Sequence, residues 1–226
     1  MELTVLGTGS SGNCYLLNDC GKILILDAGI GIKDIKIGLN FDLMNVSGAF
    51  ISHEHQDHSK GADALRGIGF NVWEPYKFQE INHGIASVSI GEYALKSFPL
   101  PHDGVENRGA CIYTPSGSKV LYMTDYEYCA FNFSGIDIDT MLIECNYSID
   151  PHDDQQNLEH VLRGHASLDY VCEFLKENDN PNLKNVILCH LSSLNADADM
   201  ILNRVRSVVR KGVMVDIARN GKTFQL

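Results

Sequence analysis

The stretch Ser52-His53-Glu54-His55-Gln56-Asp57-His58 places five potential metal ligands within seven residues, directly after the apolar run Ser47-Gly48-Ala49-Phe50-Ile51. That run reads as a short buried strand, so the ligands belong on the turn at its end, where packing fixes the root of the loop. Imidazole and carboxylate suit borderline-to-hard divalent cations such as zinc, manganese or iron, and tetrahedral or five-coordinate sites use three or more of them. His53 and His55 can reach one ion from an extended segment, while Asp57 and His58 are displaced enough to serve another. The spacing predicts two adjacent metals. A solvated polar loop is the alternative in a chain with nine histidines.

On either side the chain reads as strands with helices between them. Residues 3–6 form a strand ended by Gly7-Thr8-Gly9-Ser10-Ser11-Gly12-Asn13. This glycine-rich turn is not a phosphate loop, because Gly-Lys-Ser/Thr is missing and no helix pattern follows. Residues 14–17 and 23–26 read as a hairpin, 32–39 as a short helix, 59–66 as a helix capped by Ser59, and 70–73 as a strand. From 74 to 91 the pattern is weak, and His83 there is taken as a surface histidine. Beyond it come a strand at 93–98, a hairpin of 109–114 with 119–123, and strands at 140–144 and 185–188. Helices are expected near 154–162, 167–177 and 197–209, and 213–217 with 222–225 as a closing hairpin around Arg219-Asn220-Gly221. Two packed sheets with helices outside fit this alternation, although another α/β arrangement fits the pattern equally.

A chain of 226 residues with 44% hydrophobic and 21% charged content can bury one sizeable core, so a single domain over 1–226 is expected. No apolar run of about 18 residues is present to span a membrane. The start, Met1-Glu2-Leu3-Thr4, lacks the basic and cleavable features of a secretory signal, which makes the cytoplasm the expected compartment. Seven cysteines without a Cys-x-x-Cys pair read as free thiols. The formal net charge of −11 weighs against broad phosphate contacts. Two bound cations, with about four positive charges between them, would reverse the field locally.

The His-x-His-x-Asp-His string resembles the signature of the metallo-beta-lactamase superfamily. Later candidates for the pattern stand in order at Pro101-His102, Thr124-Asp125 and Cys189-His190. The resemblance implies a four-layer αββα sandwich with the site at one edge of the sheets. It implies His53, His55 and His102 on the first metal, Asp57, His58 and His190 on the second, and Asp125 bridging them. His102 as a surface histidine and Asp125 as a cap are the alternatives. Asp27, ending the third strand, looks like the aspartate that supports this site from behind, a turn cap being the other reading. The cofactors implied are two divalent ions, zinc first, with manganese or iron also accepted, sharing a hydroxide as nucleophile.

Gly164-His165-Ala166-Ser167 resembles an element of the phosphodiesterase branch, which includes tRNase Z and the RNase J nucleases. There His165 would assist the leaving group, and Asp57 is counted with it among the catalytic residues. A histidine packed near a helix cap is the structural alternative for His165. His152 and His160 are left as solvated or capping histidines, and Cys145 and Cys189 as buried thiols. Gly9-Ser10-Ser11-Gly12-Asn13, Glu144-Cys145-Asn146 and His190-Leu191-Ser192 follow in the order found in the small YycJ/WalJ-type members. That resemblance implies an exonuclease-like phosphodiesterase acting on nucleic acid, with Asn146 and Ser167 as phosphate contacts. No segment corresponds to the RNase J clamp or the tRNase Z arm. Hydrolysis of a small cyclic phosphodiester or a thioester, and noncatalytic metal or nucleic-acid binding, are the competing functions. The oligomeric state is left open.

Overall fold

The computed structural model of the chain describes residues 1–77, 84–148 and 161–226. One sheet contains β1 (Glu2–Gly7), β2 (Cys14–Asp19), β3 (Lys22–Leu26), β4 (Val46–Phe50) and β5 (Val72–Trp73), with β13 (Thr223–Gln225) on the far side of β1. The other begins with the meander β6 (Ala86–Ile90), β7 (Tyr93–His102), β8 (Val105–Tyr113) and β9 (Lys119–Met123). It continues with β10 (Thr140–Glu144), β11 (Asn185–Cys189) and β12 (Met214–Ile217), each parallel to its neighbour.

The layering follows from side-chain alternation. In β9 to β11, Leu121, Met123, Met141, Ile143, Val186 and Leu188 pack with residues of α4 (Leu168–Glu177) and α5 (Ala198–Val208). The residues between them, Val120, Tyr122, Leu142 and Ile187, join Leu3, Tyr15, Leu24 and Phe50 of the other sheet. Burial on both faces makes these strands continuous apolar runs rather than alternating ones. Behind the first sheet, Leu16, Ile25, Ala49 and Ile51 pack with Ile35 of α1 (Ile32–Gly38) and Leu65 of α3 (Ala62–Gly67). Three apolar cores thus separate four layers, αββα, as the resemblance implied. Among the described residues no helix is long and apolar enough to cross a membrane.

Four local expectations change. The closing hairpin does not form: β12 pairs with β11, whereas β13 pairs with β1 in the opposite sheet. The Asn220-Gly221 turn is a corner between sheets, because each flanking strand completes an existing edge. The helix expected at 59–66 splits instead. The short α2 (Gln56–Ser59) begins inside the histidine cluster, and the Ser59 hydroxyl donates back to the carbonyls of Glu54 and His55 rather than capping a helix. The Gly61 N–H is taken by the Ala28 carbonyl, so α3 starts afresh. Strand β7 runs on through Pro99 and Pro101 to His102. This is allowed because β6 pairs only with Tyr93 to Ser97, leaving that side of the later residues without a ladder to donate to. Finally, β6 lies within the stretch where the sequence showed no pattern. His83, His152, His160 and most of the helix expected at 154–162 fall outside the described residues.

Candidate metal centre

Every expected ligand lies at or just beyond the carboxyl end of a strand, on one edge of the sandwich. Asp27 follows β3, the histidine loop follows β4, His102 ends β7, Asp125 follows β9 and His190 follows β11. Asp27, Asp125 and His190 share left-handed backbone, with φ of 55°, 52° and 51°. That conformation is uncommon outside glycine, and it swings each chain sharply out of its strand. Gly29 lets the loops meet, since a Cβ there would lie 1.7 Å from the Asp57 carbonyl oxygen.

The Asp125 carboxylate divides the donors between its two oxygens. Oδ1 lies 3.4 Å from His58 Nε2 and 3.5 Å from His190 Nε2, while Oδ2 lies 3.7 Å from His102 Nε2 and 3.8 Å from His53 Nε2. His55 Nδ1 completes the second group, 3.0 Å from His53 Nε2 and 3.2 Å from His102 Nε2. Asp57 Oδ2 completes the first, 3.6 Å from His58 Nε2 and 3.9 Å from His190 Nε2. Metal bonds of about 2.0–2.2 Å in a tetrahedron separate adjacent ligand atoms by roughly 3.4 Å. The donors already stand near that spacing, and the buried His190 Nε2 has no hydrogen-bond partner. The residues present therefore fit divalent cations, and the groupings His53, His55, His102, Asp125 and Asp57, His58, Asp125, His190 can each hold one.

The far nitrogens are fixed from behind. His58 Nδ1 lies 2.7 Å from Asp27 Oδ2, a carboxylate that also accepts from the Ser52 N–H, the Ser52 hydroxyl and Tyr122 Oη. On the near side, the Asn13 amide comes within 3.0 Å of His58 Nε2 itself. His102 Nδ1 lies 2.7 Å from the Gly164 carbonyl. Glu144, fully buried, accepts from His190 Nδ1 (2.9 Å) and His165 Nδ1 (2.7 Å) with Oε1. Such contacts select the tautomer that turns the other ring nitrogen toward the centre.

Burial and charge pull the side chains apart in proton affinity. Burial, then the neighbouring His58, pushes His53 well below the ordinary imidazole range. Burial also opposes charge on His58, but Asp125 and Asp27 outweigh it and raise His58 to about 10. His190 rises well above its usual value for the same reason, through Asp125, Asp57 and Glu144. Asp125 is held well below the carboxylate range despite its burial, by His190 and His58. Burial lowers and Glu144 more than restores the pKa of His165. Anionic oxygens around histidines that attract cationic charge are what a metal centre offers.

The centre opens into a cavity of about 320 Å³ whose walls include Ser10, Gln56, Asp57, His102, His165 and His190. His165 stacks on His190, with ring centroids 5.3 Å apart and planes 15° from parallel. The structure does not bring Asn146 or Ser167 to this cavity. The Asn146 amide donates to the His190 carbonyl (2.9 Å) and toward Glu144, bracing the loop, and Ser167 caps α4 by accepting from the Tyr170 N–H. Sequence reasoning missed Glu144, Asn13, Ser52 and Tyr122. A signal existed for Glu144: a carboxylate that follows the apolar run Met141-Leu142-Ile143 in a strand must be paired to be buried.

Fold and donor set together define an αββα sandwich with a metal-binding type of His/Asp site at one edge. The chain belongs to the metallo-beta-lactamase superfamily, whose family model matches residues 7–130. It is 27% identical over 172 residues to exodeoxyribonuclease WalJ of Streptococcus pneumoniae, covering 66% of this chain and 64% of that protein. Exodeoxyribonuclease YycJ of Bacillus anthracis is 24% identical over 175 residues, with the same two coverages. The chain thus matches less than two thirds of the length of these relatives. The metallo-beta-lactamase fold protein YhfI of Bacillus subtilis superposes with a TM-score of 0.71 at 19% identity, covering 99% of this chain and 98% of that one, which shows the shared fold.

Proposed function

We propose that the protein is a dinuclear metal-dependent phosphodiesterase that cleaves nucleic acid from an end. The observation that carries this reading is the division of Asp125 between two donor groups, His58 with His190 on one oxygen and His53 with His102 on the other. In this reading His53, His55 and His102 hold one cation, Asp57, His58 and His190 the other, and Asp125 is shared. The cations would lower the pKa of water and neutralise charge developing on the phosphate. His165, held through Nδ1 by Glu144 and stacked against His190, offers Nε2 as the proton donor to the departing alkoxide. The exodeoxyribonuclease names of the two relatives support a nucleic-acid substrate. The formal charge of −11 favours the second reading, a small phosphodiester that needs few surface cations.

The test is hydrolysis of bis-p-nitrophenyl phosphate, then of end-labelled DNA, RNA and a cyclic dinucleotide, by metal-stripped protein reloaded with zinc, manganese or iron. Metal-dependent release of mononucleotides, reduced roughly 10²-fold or more in His165→Ala, is expected. A near-normal rate in that variant removes His165 from the mechanism. Protein shown to bind two ions yet inert toward every phosphodiester refutes the proposal.

A further inference from the structure

A second cavity, of about 810 Å³, adjoins the metal centre and shares His102 with it as a wall. Its lining includes Leu100, Phe131 and Tyr128, with Glu106, Glu127 and Arg163 at the same cavity. Tyr128 lies three residues beyond Asp125 and is 46% exposed. A lone exposed aromatic is ordinary on a protein surface. This one stands on backbone clamped at both sides. The Glu127 N–H donates to the Pro101 carbonyl at 2.9 Å, and the Cys129 N–H donates to Tyr170 Oη at 2.7 Å. The segment that holds the ring is thus tied to β7 and to α4, so little ordering remains to be done when a ligand covers it.

We infer that this cavity is a nucleobase subsite, receiving the base of the nucleotide attached to the scissile phosphate; the inference rests on the phosphodiesterase reading and adds where the substrate's base lies. A planar base stacks on an aromatic ring without regard to its sequence identity, which an enzyme working along a strand requires. The charged side chains at the cavity are mixed, Glu106 and Glu127 beside Arg163. A carboxylate accepts hydrogen bonds from exocyclic amino groups, as it does from cytosine N4, so Glu106 and Glu127 can meet a base while Arg163 can meet a phosphate.

The test compares binding of the four deoxynucleoside 5′-monophosphates with that of 2-deoxyribose 5-phosphate by titration calorimetry of the metal-loaded protein. Stacking is expected to make each nucleotide bind at least ~10-fold more tightly than the sugar phosphate, with the ratio falling to within about 3-fold in Tyr128→Ala and surviving in Tyr128→Phe. Glu127→Gln should weaken dAMP, dGMP and dCMP more than dTMP, which has no amino group. A wild-type ratio near one, or a ratio unchanged in Tyr128→Ala, overturns the subsite. Turnover of bis-p-nitrophenyl phosphate is measured on the same preparations. Active protein with a ratio near one sinks the subsite and spares the phosphodiesterase. Inert protein that still distinguishes nucleotides from sugar phosphate keeps the subsite and sinks the catalytic reading.

Discussion

On the dinuclear reading proposed above, replacing Asp27 by Asn should weaken one cation site and spare the other. Asp27 Oδ1 accepts the Ser52 N–H at 2.7 Å, so an asparagine can keep its oxygen there and place its amide where Oδ2 was. Oδ2 is the atom that faces His58 Nδ1, 2.7 Å away. An amide donor in that place forces Nδ1 to become an acceptor and moves the imidazole proton to Nε2. That nitrogen faces Asp57 and Asp125, at 3.6 and 3.4 Å, and once protonated it has no lone pair for a metal. Partners that orient a ligating histidine are worth about 10–100-fold in metal affinity, or roughly 1.4–2.7 kcal/mol. The loss should fall on the group of Asp57, His58 and His190. His53, His55 and His102 do not touch Asp27 through their coordinating nitrogens and should keep their cation. Competition with a chromophoric chelator, which resolves the two binding steps, reads the difference, with circular dichroism as a control for folding. Equal weakening of both steps, or two unchanged steps in a folded variant, would refute the tautomer argument.

Gly29→Ala should lose both stability and metal binding, seen as a lower Tm and a reduced cation stoichiometry, because its Cβ would lie 1.7 Å from the Asp57 carbonyl oxygen. Asn107→Ala strips the buried carbonyls of Thr124 and Asp125 of their shared amide donor. At about 1–3 kcal/mol for an unsatisfied buried group, chemical denaturation should show a clear destabilisation. A chelator should lower the Tm of the loaded protein, since cations bind the folded donors and not the dispersed ones. Asp216 supplies a test in pH: partial burial raises its pKa, but the Lys222 ammonium, 2.6 Å away, and the Ile217 N–H bring it below the ordinary 3.8. A depressed folded-state pKa contributes stability that is present above the unfolded value and lost as pH falls through the folded one. Urea titrations of wild type and Asp216→Asn should therefore differ near about pH 6 and converge under strong acid.

What was legible in the sequence divides by the range of the interaction behind it. His53 through His58 could be read because ligands of one centre sit within a single loop, and the buried strands because both faces of β9 to β11 are apolar. Strand β6, Ala86-Ser87-Val88-Ser89-Ile90, alternates apolar residues with serines, but over only five residues and with small side chains the signal is faint. The proline-bearing half of β7 reads locally as a loop, and only the missing partner on one side makes it a strand. The closing hairpin had a sound local turn, yet β1 and β11 each offered a distant edge that the local signal does not contain. Asn146 and Ser167 show a further limit of local motifs. Their motifs match, but their side chains are engaged by His190 and by the first turn of α4. Glu144 is the reverse case: its place at the end of an apolar run signals that it needs a partner, but that the partners are His165 and His190 appears only when they are brought to it from later in the chain.

The left-handed residues say why this centre is built at the strand ends. Asp27, Asp125 and His190 each hold a conformation that costs of order 1–3 kcal/mol for a residue other than glycine. Such strain persists only where the surroundings over-determine it, and here they do. Asp27 accepts from Ser52, Tyr122 and His58, the Asp125 carbonyl is bonded by Asn107, and the His190 N–H donates to the Thr8 hydroxyl at 3.1 Å. These bonds are made by the polypeptide alone and come from both sheets. The donors are therefore ordered by folding rather than by the cation, so the free energy of metal binding is not consumed in arranging loops. Loosening Thr8 or Asn107 should accordingly weaken metal binding even though neither residue supplies a ligand.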